Sequence, residues 1–263
     1  DIRPIVGESW CRHAVRYLLL VLVLLASAPL QAQQSVITSV VNAASYSSTY
    51  GVVPGGIMTL FGTGIVSASG IVSAAGVPLP TTLGGAQVLV NNIPAPLFAV
   101  AKTETFRFGI VFARQEQINF QVPWEVAGAN MATVIVVNAS VRSAPRFFAM
   151  SGADPGLFTL DGASALVVHG ATNQLVTAAS PAEPGEAVVF YVTGLGAVDR
   201  AQQSGRPASL TELAKAFNAL TVNIGGQEAA IQFAGLTPGL IGLYQVNCTV
   251  PADVSGELGV QMT

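Results

Sequence analysis

Charge is what this sequence has least of. Of its 263 residues only 10% are Asp, Glu, Lys or Arg, 7% are aromatic, and there are two cysteines and two histidines. So few cations exclude a nucleic-acid binder, which needs a basic stripe to meet the phosphate backbone. A coiled coil is excluded as well, because its flanking positions carry charge. Disorder is excluded from the other side, since 51% apolar residues are enough to build a core. Long apolar runs are equally scarce. The one that exists, Tyr17-Leu-Leu-Leu-Val-Leu-Val-Leu-Leu-Ala-Ser-Ala28, follows Arg12, His13 and Arg16.

A basic flank, about a dozen apolar residues and a small-residue exit have the layout of a secretory leader, too short to span ~30 Å of hydrocarbon. Residues 1–32 therefore read as a signal peptide cleaved after Ala32, and the protein as secreted or displayed at the cell surface, with no membrane span once the leader is gone. Without that segment 8 basic and 12 acidic residues remain, a net charge near −4. Cys11 and His13 leave with it, so Cys248 and His169 stand alone. This excludes an internal disulfide and a Cys/His metal cluster, and no cofactor is implied.

What is present is a repeat. Val40-Val-Asn42-Ala-Ala-Ser45 matches Val167-Val-His169-Gly-Ala-Thr172, and the segment from Pro54 to Ile65 matches Pro184 to Leu195. Val88 to Leu97 matches Val222 to Ile231, and Gln117-Ile-Asn-Phe-Gln-Val-Pro123 matches Gln245-Val-Asn-Cys-Thr-Val-Pro251. Four anchors in one order, with offsets between 127 and 134, define two copies of a module. They occupy residues 33–150 and 163–263, with a linker over 151–162.

Strand periodicity runs through both copies. Ile118, Phe120 and Val122 alternate with Gln117, Asn119 and Gln121, and Val246, Cys248 and Val250 with Gln245, Asn247 and Thr249, the period of a strand with one buried face. Cys248 thus reads as a small core hydrophobe. Asn91-Asn92 and Gly225-Gly226 suit tight hairpins that need positive φ. Ser209-Leu-Thr-Glu212 has the pattern of a capping box before Leu213 to Phe217, which reads as a short helix or as a loop. The fold class expected is all-β: two tandem immunoglobulin-like antiparallel sandwiches. Position 263 aligns with 135, so the second copy is expected to be incomplete at its C-terminus, through truncation or because another molecule completes an open edge. Such an edge invites self-association.

Eight motifs in order carry a resemblance: Val40-Val-Asn-Ala-Ala-Ser-Tyr46, Pro54-Gly-Gly-Ile57, Phe61-Gly-Thr-Gly64, Leu79-Pro-Thr-Thr-Leu-Gly-Gly85, Gln117 to Trp124, Pro155-Gly-Leu-Phe-Thr159, Tyr191-Val-Thr-Gly-Leu-Gly196, and Phe233 to Gly239 with Tyr244-Gln-Val-Asn247. Together they resemble the uncharacterised C-terminal domain of secreted acidobacterial proteins of the Solibacter type. Each copy also resembles an IPT/TIG immunoglobulin-like module. The resemblance implies adhesion, attachment or presentation. The stretch Ala101 to Arg114 departs from the family as an insertion that would add a hairpin.

Candidate chemistry is thin. His169 aligns with Asn42 and lacks a Gly-x-Ser-x-Gly elbow, which argues against a triad. Glu116 and Glu125 lie ~30 Å apart if their strand is extended, too far for paired carboxylate catalysis. Asp154, Asp161 and Asp199 lack calcium-loop spacing. No catalytic residue is assigned, and the chain is expected not to be an enzyme. Trp124, with the polar rows Gln117, Asn119 and Gln121 and, in the second copy, Gln245 and Asn247, forms the candidate ligand surface. Extracellular polysaccharide or another surface protein is the expected partner. The function read is a non-enzymatic surface module, with a carbohydrate-binding accessory module as the alternative.

Overall fold

Alternating apolar residues give antiparallel strands throughout. In the computed structural model, which describes residues 34–47, 51–107, 110–256 and 259–263, the fold is all-β, with no α-helix among the described residues. The leader read over residues 1–32 lies outside them, and Gln34–Thr263 form one compact unit.

In the first half β1 (Val36–Asn42), β2 (Ile57–Thr63), β7 (Ile110–Gln121), β6 (Leu97–Arg107) and β3 (Gly70–Ser73) make one sheet in that order. A second sheet runs β10 (Arg146–Ala149), β8 (Met131–Asn138), β4 (Ala86–Val90), β5 (Ile93–Pro94), with β9 (Val141–Arg142) beside β8. Both faces contribute to one core that includes Leu60, Val88, Leu97, Ile118, Phe120 and Val134. In the second half β11 (Gly156–Leu157) and β12 (Val167–His169) share the edge of β13 (Ala187–Thr193), followed by β17 (Tyr244–Thr249) and β16 (Ile231–Leu236). A three-stranded sheet of β15 (Gln227–Glu228), β14 (Val222–Ile224) and β18 (Val260–Met262) closes a core around Phe190, Val222, Tyr244, Val246 and Cys248. Sheets packed on both sides of an apolar cluster are the sandwich solution.

Register shows how closely the halves correspond. Met58 pairs with Phe120 across β2 and β7, and Val188 pairs with Cys248 across β13 and β17. Burial pushes the Cys248 thiol up to about 11, so it stays protonated and packs as a hydrophobe. Asn91 and Asn92 have φ of 49° and 65°, and Gly225 and Gly226 have 60° and 80°, which gives the tight hairpins their matching twist. The stretch Ala101 to Arg114 lies in the β6–β7 hairpin, paired as far as Arg107 with Ile110. At the C-terminus the pairing sets Val260 opposite Ile224 as Val134 sits opposite Val90, two residues from the alignment of 263 with 135.

The capping pattern at Ser209 does not start a helix. Ser209 Oγ accepts from Thr211 N and Glu212 N, so the local turn forms. Beyond it, Lys215 N donates to Asp199 Oδ1 and Ala216 N to Ala234 O, which takes the donors a helix would use. Tertiary partners thus decide against local propensity.

The halves meet at a seam built on glycine. A 3-10 turn, Trp124–Val126, places Trp124 against the second core. Its indole lies directly on Gly55, at φ +76°, where a Cβ would overlap the ring. The corresponding Gly185, at φ +82°, faces nothing within 4 Å. Both positions penalise a side chain by about 1–2 kcal/mol through positive φ, but only Gly55→Ala must also displace a packed aromatic. Urea denaturation is expected to show Gly55→Ala about 2 kcal/mol more destabilising than Gly185→Ala. Equal losses would mean that the indole does not rest on Gly55.

Candidate functional site

The candidate polar rows are hydrogen-bonded within the protein. Gln117 Nε2 donates to Asn119 Oδ1 at 3.2 Å, with Thr59 Oγ1 donating to the same oxygen at 3.1 Å. The second half repeats the bond between Gln245 Nε2 and Asn247 Oδ1 at 3.0 Å. Gln121 continues the first row but is only 1% exposed, because the second half covers it. Its Oε1 accepts from Gly205 N at 2.7 Å and its Nε2 donates to Gly55 O. Nearby, Trp124 N donates to Ser204 Oγ, which donates to Glu125 Oε2. Gln121 and Trp124 therefore meet at the seam, while the Gln117–Asn119 and Gln245–Asn247 pairs remain half-buried on their own sheets.

Further buried polar groups bind the seam. Thr193 Oγ1 accepts from Ile57 N at 2.9 Å and donates to Gly242 O at 3.0 Å. Asn42 Nδ2 donates to Asp154 O, and Asp154 N donates to Gly194 O. Beside the indole a cleft of about 250 Å³ opens between Pro54, Trp124, Met150, Gly152 and Ala197.

Carboxylates are used singly. Glu116 is 1% exposed, and its Oε2 accepts from Ile65 N and Val66 N while Lys102 Nζ lies 3.4 Å from Oε1. Asp161 Oδ1 accepts from Ala163 N and Ser164 N, bonds that hold its pKa below the usual range. Asp199 binds Lys215 N, and burial raises the pKa of Asp154. No group of three such residues that could hold a metal occurs among the described residues.

His169 is different. Nδ1 lies 2.6 Å from Glu186 Oε1, and Nε2 lies 3.2 Å from both Ser180 O and Ser180 Oγ. Glu186 Oε2 in turn accepts from Glu183 N at 3.0 Å. Acid, imidazole and hydroxyl stand in the order of a nucleophilic triad. Sequence spacing did not single out Ser180, which reaches the ring only because the 177–180 turn folds back on β12.

No family model, curated protein or solved structure matches the chain.

Ring protonation decides what the cluster does. Doubly protonated, the ring donates from Nδ1 to Glu186 and from Nε2 to Ser180 O; neutral with its proton on Nδ1, it keeps Glu186 and Nε2 accepts from Ser180 Oγ. The Glu186 bond raises the imidazole's pKa, while the Glu183 N–H, followed by the imidazole, lowers that of Glu186. As an imidazolium, the form that the raised pKa favours, the ring donates on both sides and cannot take the proton from Ser180 Oγ. Ser180 N is also engaged, with Thr177. A fluorophosphonate probe is expected to leave Ser180 unlabelled at pH 6. Labelling that disappears in His169→Ala would show that Nε2 acts as a base.

Proposed function

We propose that the chain is a secreted, non-enzymatic module of two immunoglobulin-like units that presents or attaches other domains or surfaces outside the cell, as a member of the acidobacterial family its motifs resemble. The observation that carries this reading is the seam. Gln121, Thr193 and Asn42 are buried, and their hydrogen bonds run between the two halves. Rotating one half against the other would leave those groups unpaired, at about 1–3 kcal/mol each. A joint of that kind holds what it carries at a fixed angle, which a flexible linker does not.

Small-angle scattering is expected to fit one rigid particle, and melting to show one transition. Thr193→Val, which keeps the volume but removes the oxygen between Ile57 N and Gly242 O, is expected to cost about 1–3 kcal/mol. Two separate transitions in the unmodified protein would refute a rigid presenter.

A carbohydrate-binding reading is favoured by one feature, the Trp124 cleft. An indole beside Pro54, Ala127, Ala129 and Met150 offers a mostly apolar wall to the apolar face of a sugar ring, and extracellular polysaccharide is the partner this reading supplies. Retention on polysaccharide columns is then expected to fall at least about tenfold in Trp124→Ala once circular dichroism has confirmed folding. Unchanged retention would remove this reading.

A further inference from the structure

The two halves share a turn that they use differently. After β1, Asn42 N donates to Ser47 O and Tyr46 N to Asn42 O; after β12, His169 N donates to Gln174 O and Asn173 N to His169 O. Tyr46 and Asn173 both have φ of 56°. In this common seat Asn42 folds its Oδ1 back onto Ala44 N and Ser45 N, so the first turn is closed by a side chain that does not titrate. His169 reaches outward, to Ser180 on one side and Glu186 on the other.

The segment it reaches is held by little else. Residues 170–182 contribute Gly170 N to Ala187 O at the start of β13, Val176 N to Val167 O, a single bridge between Leu175 and Val168, and the Thr177–Ser180 turn. Their side chains are mostly exposed. A segment with few buried contacts sits at the low end of local stability, where one bond changes its opening measurably.

We propose that His169 is a proton-operated clip: charged, it fastens the 170–182 hairpin to β12 and to the 183–186 turn, and neutral, it lets the hairpin loosen from the edge of β13's sheet.

Geometry supplies the reason. In the neutral ring one nitrogen must become an acceptor. If Nδ1 keeps its proton for Glu186, the bare Nε2 loses its bond to the Ser180 carbonyl and can accept only from the Ser180 hydroxyl; if Nε2 keeps it, Nδ1 faces a carboxylate at 2.6 Å. Either tautomer removes one bond that the charged ring makes, and neither keeps the ion pair with Glu186.

The surrounding groups leave His169 in control near neutrality. Between residues 163 and 198 the ionisable side chains besides His169 are Glu183, Glu186 and Tyr191. No ionisable residue lies within the hairpin itself, the β13 residue paired with His169 is Val188, and Cys248 beyond it is a buried thiol at about 11. A raised histidine pKa contributes stability below about 6.5 that is lost as pH rises through the folded value, and a lowered glutamate pKa contributes stability above about 4.5 that is lost as pH falls. The clip is therefore closed between about 4.5 and 6.5 and opens on the alkaline side.

NMR titration of the full chain, with the His13 signal separated by means of His169→Asn, tests this together with amide exchange corrected for its intrinsic pH dependence. The His169 imidazole is expected to titrate above the ordinary value. Protection over 170–182 is expected to fall about threefold or more from pH 6 to 8.5 in the unmodified protein and to stay flat in His169→Asn, whose side chain the same turn already accommodates in the first half. Glu186→Gln, of unchanged size, is expected to return the ring to its ordinary pKa. An unshifted His169, or the same loss of protection in His169→Asn, would overturn the proposal.

Discussion

Buried amide and hydroxyl groups at the seam are the constraint on which the rest of this structure depends. Gln121 and Thr193 are 1% and 0% exposed, so neither can exchange a lost partner for water. Each is satisfied at two points, and each pair of points lies on both halves. This fixes the angle between the halves more sharply than apolar contact alone, which tolerates sliding. It also explains the crowding of glycine there. Asp154 O stands where a Cβ of Gly194 would be, and Gly156 lies flat against the Asn42 amide. Close backbone approach brings these polar groups within bonding distance, and any side chain would separate them.

The repeat supplies equivalent positions and the two halves fill them with different chemistry. Glu116 and Tyr244 both follow this pattern: the first pairs with Gly62, the second with Val192, and each reaches the bend after its partner strand. Glu116 accepts from Ile65 N and Val66 N, whereas the Tyr244 hydroxyl donates to Gly196 O. The bend is pinned both times, with donor and acceptor reversed. An exchange of the two residues would therefore fail even though their positions coincide, since a phenol would meet two N–H groups and a carboxylate would meet a carbonyl. Phe120 and Cys248 show the apolar version of the same rule, with equal placement and unequal volume.

How much of this could be read in advance depends on how far apart the deciding residues lie. The alternation of Ile118, Phe120 and Val122 sits within a few residues, as do the Asn91-Asn92 and Gly225-Gly226 turns, so strands and hairpins were legible. Ser209 to Glu212 was locally legible too, and its turn forms. What overrode the helix were Asp199 and Ala234, residues no local window contains. Gln121 looked like its neighbours Gln117 and Asn119 because periodicity tells faces apart but not what covers them. The three parts of the His169 cluster lie at spacings of 11 and 17 residues on separate turns, and no repeat position pairs them, because Asn42 has no comparable partners.

That last difference bears on the low charge of the chain. A molecule with so few ionisable groups can leave nearly all of its structure indifferent to pH, since backbone bonds and amide side chains do not titrate in the ordinary range. Asn42 keeps the first half's turn in that class, and its Oδ1 accepts whatever the pH. Replacing the same seat with imidazole brings one titrating group into an otherwise silent neighbourhood and sets a carboxylate and a carbonyl on either side, so that only the doubly protonated ring satisfies both. Sensitivity in such a setting comes from the absence of competitors: with no ionisable residue in the hairpin and a protonated thiol beyond the paired strand, the state of one ring governs how firmly a single sheet edge is covered.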